Sequence, residues 1–224
     1  MKSAAAAHRG TIFLEQAGVI GHEAYPGEQY VLRLRAPRCA AAATPGSFIH
    51  LNCGPRLPMR RPLSIMRASA TEGWIEVLYK VVGRGLAELA LRKPGETLSC
   101  LGPIGKGFVA HAERPRALMI GGGVGIPPLV FFAETLALEH RRGWKPLLLM
   151  GSELPFPFRT GTATISVAGI PPGAMACMPQ LEDCGVPNRL ASLAGIPGCH
   201  AGHVTDLARS WLASLAPAQL AEVE

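Results

Sequence analysis

Three short stretches of this chain combine residue types that can hold an anion or a polar ring. Arg61-Pro62-Leu63-Ser64 sets a guanidinium three residues before a hydroxyl. In a strand both groups would stand at the sheet surface, the guanidinium able to grip a phosphate with two hydrogen bonds and the hydroxyl able to bond a ring heteroatom. A solvated basic turn is the plainer alternative for this stretch alone. Leu78-Tyr79-Lys80 ends a β-like run and leads to Gly83-Arg84-Gly85-Leu86, where glycines permit close backbone approach and the next residues, to Leu91, look helical. Backbone N–H groups at a helix start favour a phosphate, although a glycine-rich hairpin reads the same letters. The third stretch, Gly121-Gly122-Gly123-Val124-Gly125-Ile126-Pro127-Pro128, follows an apolar run and opens a helical pattern, which is the setting of a dinucleotide turn. Ile126 stands where Gly-x-Gly-x-x-Gly needs its last glycine, so the match is to Gly123-x-Gly125-x-x-Pro128. Proline suits a first helical turn because the missing N–H would have no partner there. A tight structural turn is again the alternative.

The elements that would carry these stretches change character near residue 111. Before it, segments with β-rich composition such as Tyr30 to Leu34, Ser47 to Leu51 and Trp74 to Val81 are separated by Pro-Gly turns at residues 26–27, 45–46 and 94–95. That texture predicts an antiparallel barrel over residues 1–110. After it come a buried-strand run Ala117 to Ile120, the glycine turn, a helical pattern from Pro127 to His140 and a second apolar strand from Pro146 to Gly151, together one β-α-β unit. Thr205 is the expected N-cap of a helix with Leu207, Trp211, Leu212 and Leu215 on one face. The stretch from Glu153 to Pro187 is rich in proline and glycine and carries no assignment. Residues 111–224 are thus expected to form a nucleotide-binding α/β domain.

Composition narrows the function classes. The 224 residues are 48% apolar and 17% charged, enough apolar side chains for a packed core and too few charges for a disordered chain. Positive charge is concentrated: residues 1–110 carry 14 Lys/Arg and 7 Asp/Glu, residues 111–224 carry 8 and 9. Few aromatics accompany the basic half and Arg56, Arg60, Arg61 and Arg67 fall in one short stretch, so a compact anionic ligand is expected and no nucleic acid. The apolar run Ala117 to Leu138 is broken by glycines and by Pro127-Pro128, and Ala4 to Ala7 is interrupted by His8-Arg9-Gly10, so no membrane span or signal peptide is expected and the cytoplasm is the default. Cys39, Cys53, Cys100, Cys177, Cys184 and Cys199 lack metal-ligand spacing and are read as buried thiols; His200-x-x-His203 has no evident third ligand, so no metal is assigned.

Taken in order, these stretches, with the intervening Gly102-Pro103-Ile104-Gly105-Lys106-Gly107-Phe108, resemble the ferredoxin-NADP reductase superfamily. Pro45-Gly46-x-Phe48, Arg61-Pro62-Leu63-Ser64, Tyr79-Lys80-Val81-Val82-Gly83-x-Gly85, the turn from Gly121 to Leu129 and Val204-Thr205-Asp206-Leu207 are most similar to the electron-transfer subunit of NAD-dependent, class 1B dihydroorotate dehydrogenase. The resemblance covers most of residues 10 to 151. It implies a Greek-key flavin-binding barrel followed by an α/β domain with a parallel sheet. It further implies FAD held by Arg61 to Ser64, by the strand Leu78 to Lys80 and by the main-chain N–H groups of Gly85 and Leu86, with NAD(H) at Gly121, Gly122, Gly123, Val124, Gly125 and Pro128. Leu86 departs from the family's Thr or Ser, a loss of about one hydrogen bond, roughly 1 kcal/mol. Glu153 follows Gly151-Ser152 where a basic residue would meet a 2′-phosphate, which favours NADH over NADPH.

The family continues with a strand, a Cys-Gly-Pro turn and a four-cysteine loop for a [2Fe–2S] cluster, none of which is found here, so the expectation is a C-terminally truncated α/β domain with FAD, weakened nicotinamide binding and no cluster. The implied partner is an FMN-containing dehydrogenase subunit in a heterotetramer. The chain would pass electrons from it to NAD⁺, the flavin carrying the redox chemistry without a catalytic side chain. Two alternatives share the motifs: a flavin subunit of a hydrogenase or sulfhydrogenase-like complex, and a non-catalytic interaction subunit of the same fold.

Overall fold

Alternation of apolar and polar residues marks a strand that buries one face, as over residues 29–35, whereas residues 75–79 are buried on both faces. The computed structural model describes residues 10–54, 57–138 and 143–224, so the alanine-rich N-terminal stretch and Arg56 lie outside the described residues. Strands β1 (Phe13–Tyr25) and β2 (Gln29–Arg35) are followed by helix α1 (Pro37–Ala42), then β3 (Phe48–Leu51), β4 (Arg61–Ser69), β5 (Trp74–Lys80), helix α2 (Gly83–Ala90) and β6 (Thr97–Ile104). The six strands close into a barrel in the order β1-β2-β5-β4-β3-β6, with antiparallel neighbours throughout.

In β2, Leu32 and Leu34 point inward while Arg33 and Arg35 point out. Ile49, Leu51, Ile65, Ile75 and Val77 join them in the interior, each such side chain contributing about 1.5–3 kcal/mol relative to exposure. Charge enters the barrel wall only when paired: the buried Glu76 accepts from Arg33 at 2.6 Å and from Arg67 at 3.1 Å.

The second half contains β7 (Leu118–Gly122), a 3-10 turn at Gly123–Gly125, α3 (Ile126–Leu138), β8 (Leu147–Gly151), β9 (Gly161–Thr162), β10 (Ala176–Cys177), α4 (Pro179–Asp183), β11 (Asn188–Ser192), β12 (His200–Ala201), α5 (Val204–Ala213) and α6 (Pro217–Leu220). Among the described residues, β12-β11-β8-β7 form a parallel sheet, and β9 pairs with β10 as a separate two-stranded ribbon. The expected β-α-β unit is β7-α3-β8. Residues 139–142, including the end of the helical pattern to His140, lie outside the described residues. The chain divides into two compact units, Met1–Ala24 with Glu28–Gly107 and Tyr25–Gly27 with Phe108–Glu224.

Two expectations need correction. The N-cap of α5 is His203, whose N–H donates to the Asp206 carboxylate at 3.0 Å, and not Thr205, which lies inside the helix. The cysteines are not uniformly buried: Cys39, Cys53, Cys100 and Cys177 are, but Cys199 is half-buried and Cys184 exposed. Among the unassigned and later residues, β11 is fully buried although it begins Asn-Arg. Its polar side chains find partners internally, although Arg189 Nε is left without one among the described residues. Asn188 accepts from the Met178 N–H at 2.7 Å and donates to the Met178 and Val186 carbonyls, and Arg189 pairs with Glu182 at 3.2 Å.

Candidate functional site

The barrel site is built around an interruption in the β4–β5 ladder. The two strands pair from Ser69–Trp74 to Ile65–Val77 and then stop, with a register shift between Ile65 and Arg67. Continuing from Ile65–Val77, the register would set Ser64 against Leu78, Leu63 against Tyr79 and Pro62 against Lys80. These are the two triplets singled out from sequence, and they flank one opening. Each remains paired on its other side, Arg61 to Ser64 with β3 and Leu78 to Lys80 with β2. The opening therefore presents strand edges held rigidly from behind. Pro62, which has no N–H to donate, occupies such an edge at no cost to the ladder.

Side-chain directions divide the work. Leu63 and Leu78 are buried, while Pro62 and Lys80 are exposed and Ser64 half-buried. Tyr79 is 1% exposed and turned away into a cluster: its ring stacks on Tyr30 at 5.3 Å, and its hydroxyl lies 2.9 Å from His22 Nε2. The other His22 nitrogen is 2.8 Å from the Arg92 carbonyl, which can only accept. Nδ1 therefore donates, and in the neutral ring Nε2 accepts from the Tyr79 hydroxyl. Burial, helped by the neighbouring Tyr30 and Cys53, pushes the Tyr79 phenol above its usual value, so it stays protonated. At β5 the main chain, and not the tyrosine ring, faces the opening. His22 escaped sequence reading because its partners are 57 and 70 residues away.

Arg61 and Gly85 come together. A Cβ on Gly85 would lie 2.6 Å from Arg61 Nε and 3.0 Å from its Cζ, so the guanidinium rests directly on the helix backbone. Gly83, with φ of +70°, takes the left-handed conformation that starts this helix cheaply only as glycine. No side chain caps α2 and no acidic residue occupies its first turn. The N–H groups of Val82, Gly83, Arg84 and Gly85 have no helical partners, whereas the Leu86 N–H makes the first bond of the helix, to the Val82 carbonyl, and the helix dipole adds positive potential there. Exposed Arg84 and Lys80 extend this cationic surface; Arg84 lies inside the glycine motif, and the sequence alone assigns it no role. The remaining arginines of the basic stretch are committed elsewhere. Arg60 donates to the Ser99 carbonyl at 2.7 Å and hydroxyl at 2.8 Å, Arg67 to Glu76. Only Arg61 of the described arginines in that stretch turns to the helix start.

In the α/β unit, Gly121 and Gly122 end β7, and Gly123, Val124 and Gly125 form the tight turn before α3. A Cβ on Gly121 would stand 2.7 Å from Leu129 Cδ1 and 3.0 Å from the Gly125 carbonyl oxygen, so glycine is required by packing. Gly123 has φ of +52° and open space around it, which leaves its backbone approachable. Val124 is exposed. Pro127 and Pro128 fall in the first turn of α3 and supply no N–H, and the Ile126 N–H is already bound to the Gly123 carbonyl. This helix start therefore offers a smooth backbone surface with few free donors. Exposed Glu153 follows the end of β8.

Among the described residues no group of three His, Cys, Asp or Glu side chains could hold a metal ion, and no helix is long and apolar enough to cross a membrane.

Comparison with known proteins agrees with this architecture. No family model matches. The chain is 37% identical over 110 residues to the electron transfer subunit of dihydroorotate dehydrogenase B (NAD(+)) of Desulforamulus reducens, covering 48% of this chain and 42% of that protein. It is 36% identical over 126 residues to the same subunit of Bacillus caldolyticus, covering 54% and 48%. The chain thus spans about half the length of the curated relatives it matches. Among solved structures, the ferredoxin reductase in carbazole 1,9a-dioxygenase superposes with a TM-score of 0.69 at 22% identity, over 95% of this chain and 60% of that one. The NADH-dependent reduced ferredoxin-NADP oxidoreductase, studied for flavin-based electron bifurcation, superposes with 0.66 at 24% identity, over 90% and 64%. These likenesses show a ferredoxin-reductase-like fold.

Proposed function

We propose that this chain is an FAD-binding electron-transfer module that passes electrons between a partner dehydrogenase and NAD(H). The observation that carries the reading is the convergence of Arg61 to Ser64, Leu78 to Lys80 and the Gly85–Leu86 helix start on one opening in the barrel. A cradle with a guanidinium laid against a glycine, four unpartnered N–H groups and no acid fits a diphosphate. Two rigid strand edges beside it fit a flat ring system with polar heteroatoms, and Ser64 supplies a hydroxyl at that edge. The bound flavin would supply the redox chemistry, accepting or releasing a hydride from nicotinamide and electrons from the partner.

The chain's own residues bind and orient. Arg61 and the first turn of α2 hold the diphosphate; Leu78 to Lys80 fix the ring through main-chain groups, with Tyr79 anchored behind them by His22. Gly121, Gly122, Gly123, Val124, Gly125 and Pro128 give the nicotinamide nucleotide a close backbone surface. Glu153 disfavours a 2′-phosphate, so NADH is the preferred substrate. The likeness to dihydroorotate dehydrogenase B electron transfer subunits supports a dehydrogenase catalytic subunit carrying FMN as the partner, in a heterotetramer.

The test is the visible spectrum of the purified chain, with chromatographic identification of any chromophore released on denaturation, followed by anaerobic addition of NADH. Stoichiometric FAD, bleached by NADH more efficiently than by NADPH, is expected. A colourless protein that takes up no added FAD would overturn the reading.

A further inference from the structure

The proposed cradle has two working parts, the ring edge of β5 and the diphosphate grip at the start of α2. The chain joins them through Val81, Val82 and Gly83, the last at φ of +70°. One connection fixes how close the two parts lie at that end and leaves the angle between them to other contacts. A second tie comes from β1. His22 lies on that strand, 57 residues before Tyr79 and 70 before Arg92, and its ring bonds both.

Each end of this tie is firm. At β5, Tyr79 is 1% exposed and its ring stacks on Tyr30 with an interplanar angle of 12°, so the hydroxyl is carried on a fixed ring. At α2 the acceptor is the Arg92 carbonyl, just past the helix end. The Arg92 N–H donates to the Leu89 carbonyl at 3.0 Å. Its guanidinium donates to the Glu88 carbonyl at 3.2 Å, to the Glu88 carboxylate at 2.8 Å and to that of Glu96 at 3.0 Å. Arg92 is thus bound to the last turn of α2 by main chain and side chain alike. Both imidazole nitrogens are used, Nδ1 as donor to this carbonyl and Nε2 as acceptor from Tyr79, and two partners of opposite kind fix the ring's orientation. Packing alone would need neither bond, since His22 is only half-buried and could turn its nitrogens to water.

We propose that His22 is a positioning residue for the cofactor: it locks the helix that grips the diphosphate to the strand that holds the ring, so that one FAD molecule meets both parts at once. The inference rests on the flavin reading and adds to it a residue behind the cradle. Its consequence is specific. A ligand that uses only one part, riboflavin at the strand edge or ADP at the helix start, does not depend on the angle between them. FAD does, because parts ordered in advance spare a ligand that spans them the cost of ordering them on binding. Losing the tie should therefore weaken FAD and leave either fragment almost untouched.

The test measures three affinities on the full chain freed of flavin, those of FAD and riboflavin by fluorescence and that of ADP by calorimetry. The proteins are the wild type, His22→Phe, Tyr79→Phe and the double variant. Tyr79→Phe removes only a hydroxyl and keeps the stacked ring, so it reports on the tie even if His22→Phe folds poorly. FAD affinity should fall about tenfold in each single variant, near the most that one neutral hydrogen bond supplies. The double variant should be no weaker than His22→Phe, because both substitutions break one tie. Riboflavin and ADP should stay within about twofold of their wild-type affinities. Equal losses for FAD and for both fragments would make His22 a support of the fold alone and overturn the proposal. So would unchanged FAD affinity, additive losses in the double variant, or a wild type that binds FAD and neither fragment. A wild type that binds no FAD overturns the flavin reading together with this one, so the two failures are told apart before any variant is made.

Discussion

The two units treat charge at their helix starts in opposite ways. In the barrel, α2 begins with four unpartnered N–H groups, no acidic residue in its first turn, and Arg61, Lys80 and Arg84 around it. In the α/β unit, α3 begins with Ile126-Pro127-Pro128, has lost two donors to proline and one to the Gly123 carbonyl, and has no cation in its first turn. Both carry glycines at or just before their first turn and look alike as letters. Physically one surrounds free N–H groups with cations, and the other is a smooth surface for close approach. The difference teaches that a glycine turn before a helix specifies proximity, whereas the donors and charges around it specify what is held and how tightly. FAD should therefore stay bound through purification while NAD(H) exchanges.

Filling the cradle is the severest way to break this contrast. Gly85→Val would place side-chain atoms where the Arg61 guanidinium now rests. FAD affinity should fall by more than about a hundredfold, beyond the loss of one charged hydrogen-bonding group, with the protein still folded by circular dichroism. Arg61→Ala comes next, with about 1.5–3 kcal/mol of FAD affinity lost, read by flavin fluorescence on titration of the apoprotein. Its neighbour is the control that sharpens the contrast: Arg60→Ala removes the bonds to Ser99 and should lower the melting temperature while leaving FAD affinity within about twofold. Equal effects of the two variants on FAD would end the assignment of Arg61. At the other turn, Gly123→Asp keeps a residue tolerated at positive φ but adds bulk and negative charge. The NADH concentration needed for half-maximal flavin reduction should rise about tenfold, with FAD content unchanged.

How much of this was legible in the letters depended on how local the determinants were. The β2 strand follows from Tyr30 to Leu34 because its apolar residues recur as a pleat requires, and β5 from the β-rich, mostly apolar composition of Trp74 onward, which suits a strand buried on both faces. The opposition of Pro62–Ser64 to Leu78–Lys80 across a broken ladder was not legible, since it depends on where two strands part company. Nor was β11. A run beginning Asn188-Arg189 is a poor candidate for a fully buried strand until the Glu182 carboxylate and the Met178 and Val186 backbone groups are known to pair with it. Ala36, Val82 and His203 begin helices without side-chain caps that sequence rules would recognise.

The smallest expected effect concerns the charge that the α/β unit does bury. Arg189 and Glu182 are 2% and 5% exposed in their side chains. Burial by itself would raise the Glu182 carboxyl. The N–H groups of Ile165 and Thr164, the Thr164 hydroxyl and Arg189 more than offset it and hold the group below its ordinary value. A carboxylate with a lowered folded pKa contributes stability that is complete above its unfolded pKa, about 4.3, and is lost as pH falls through the folded value. The α/β unit should therefore lose stability on acidification below about pH 4, while Glu182→Gln, which cannot titrate, should be less stable at neutral pH and flatter across that window. Denaturant melts at pH 3 to 7 read on Trp144 and Trp211 fluorescence would show it. Parallel pH profiles for the two proteins would mean that Glu182 is not where the unit stores its pH sensitivity. If instead the slope moves with Glu182 while FAD retention by the barrel does not, each unit keeps its own electrostatics, as the opposite construction of the two helix starts implies.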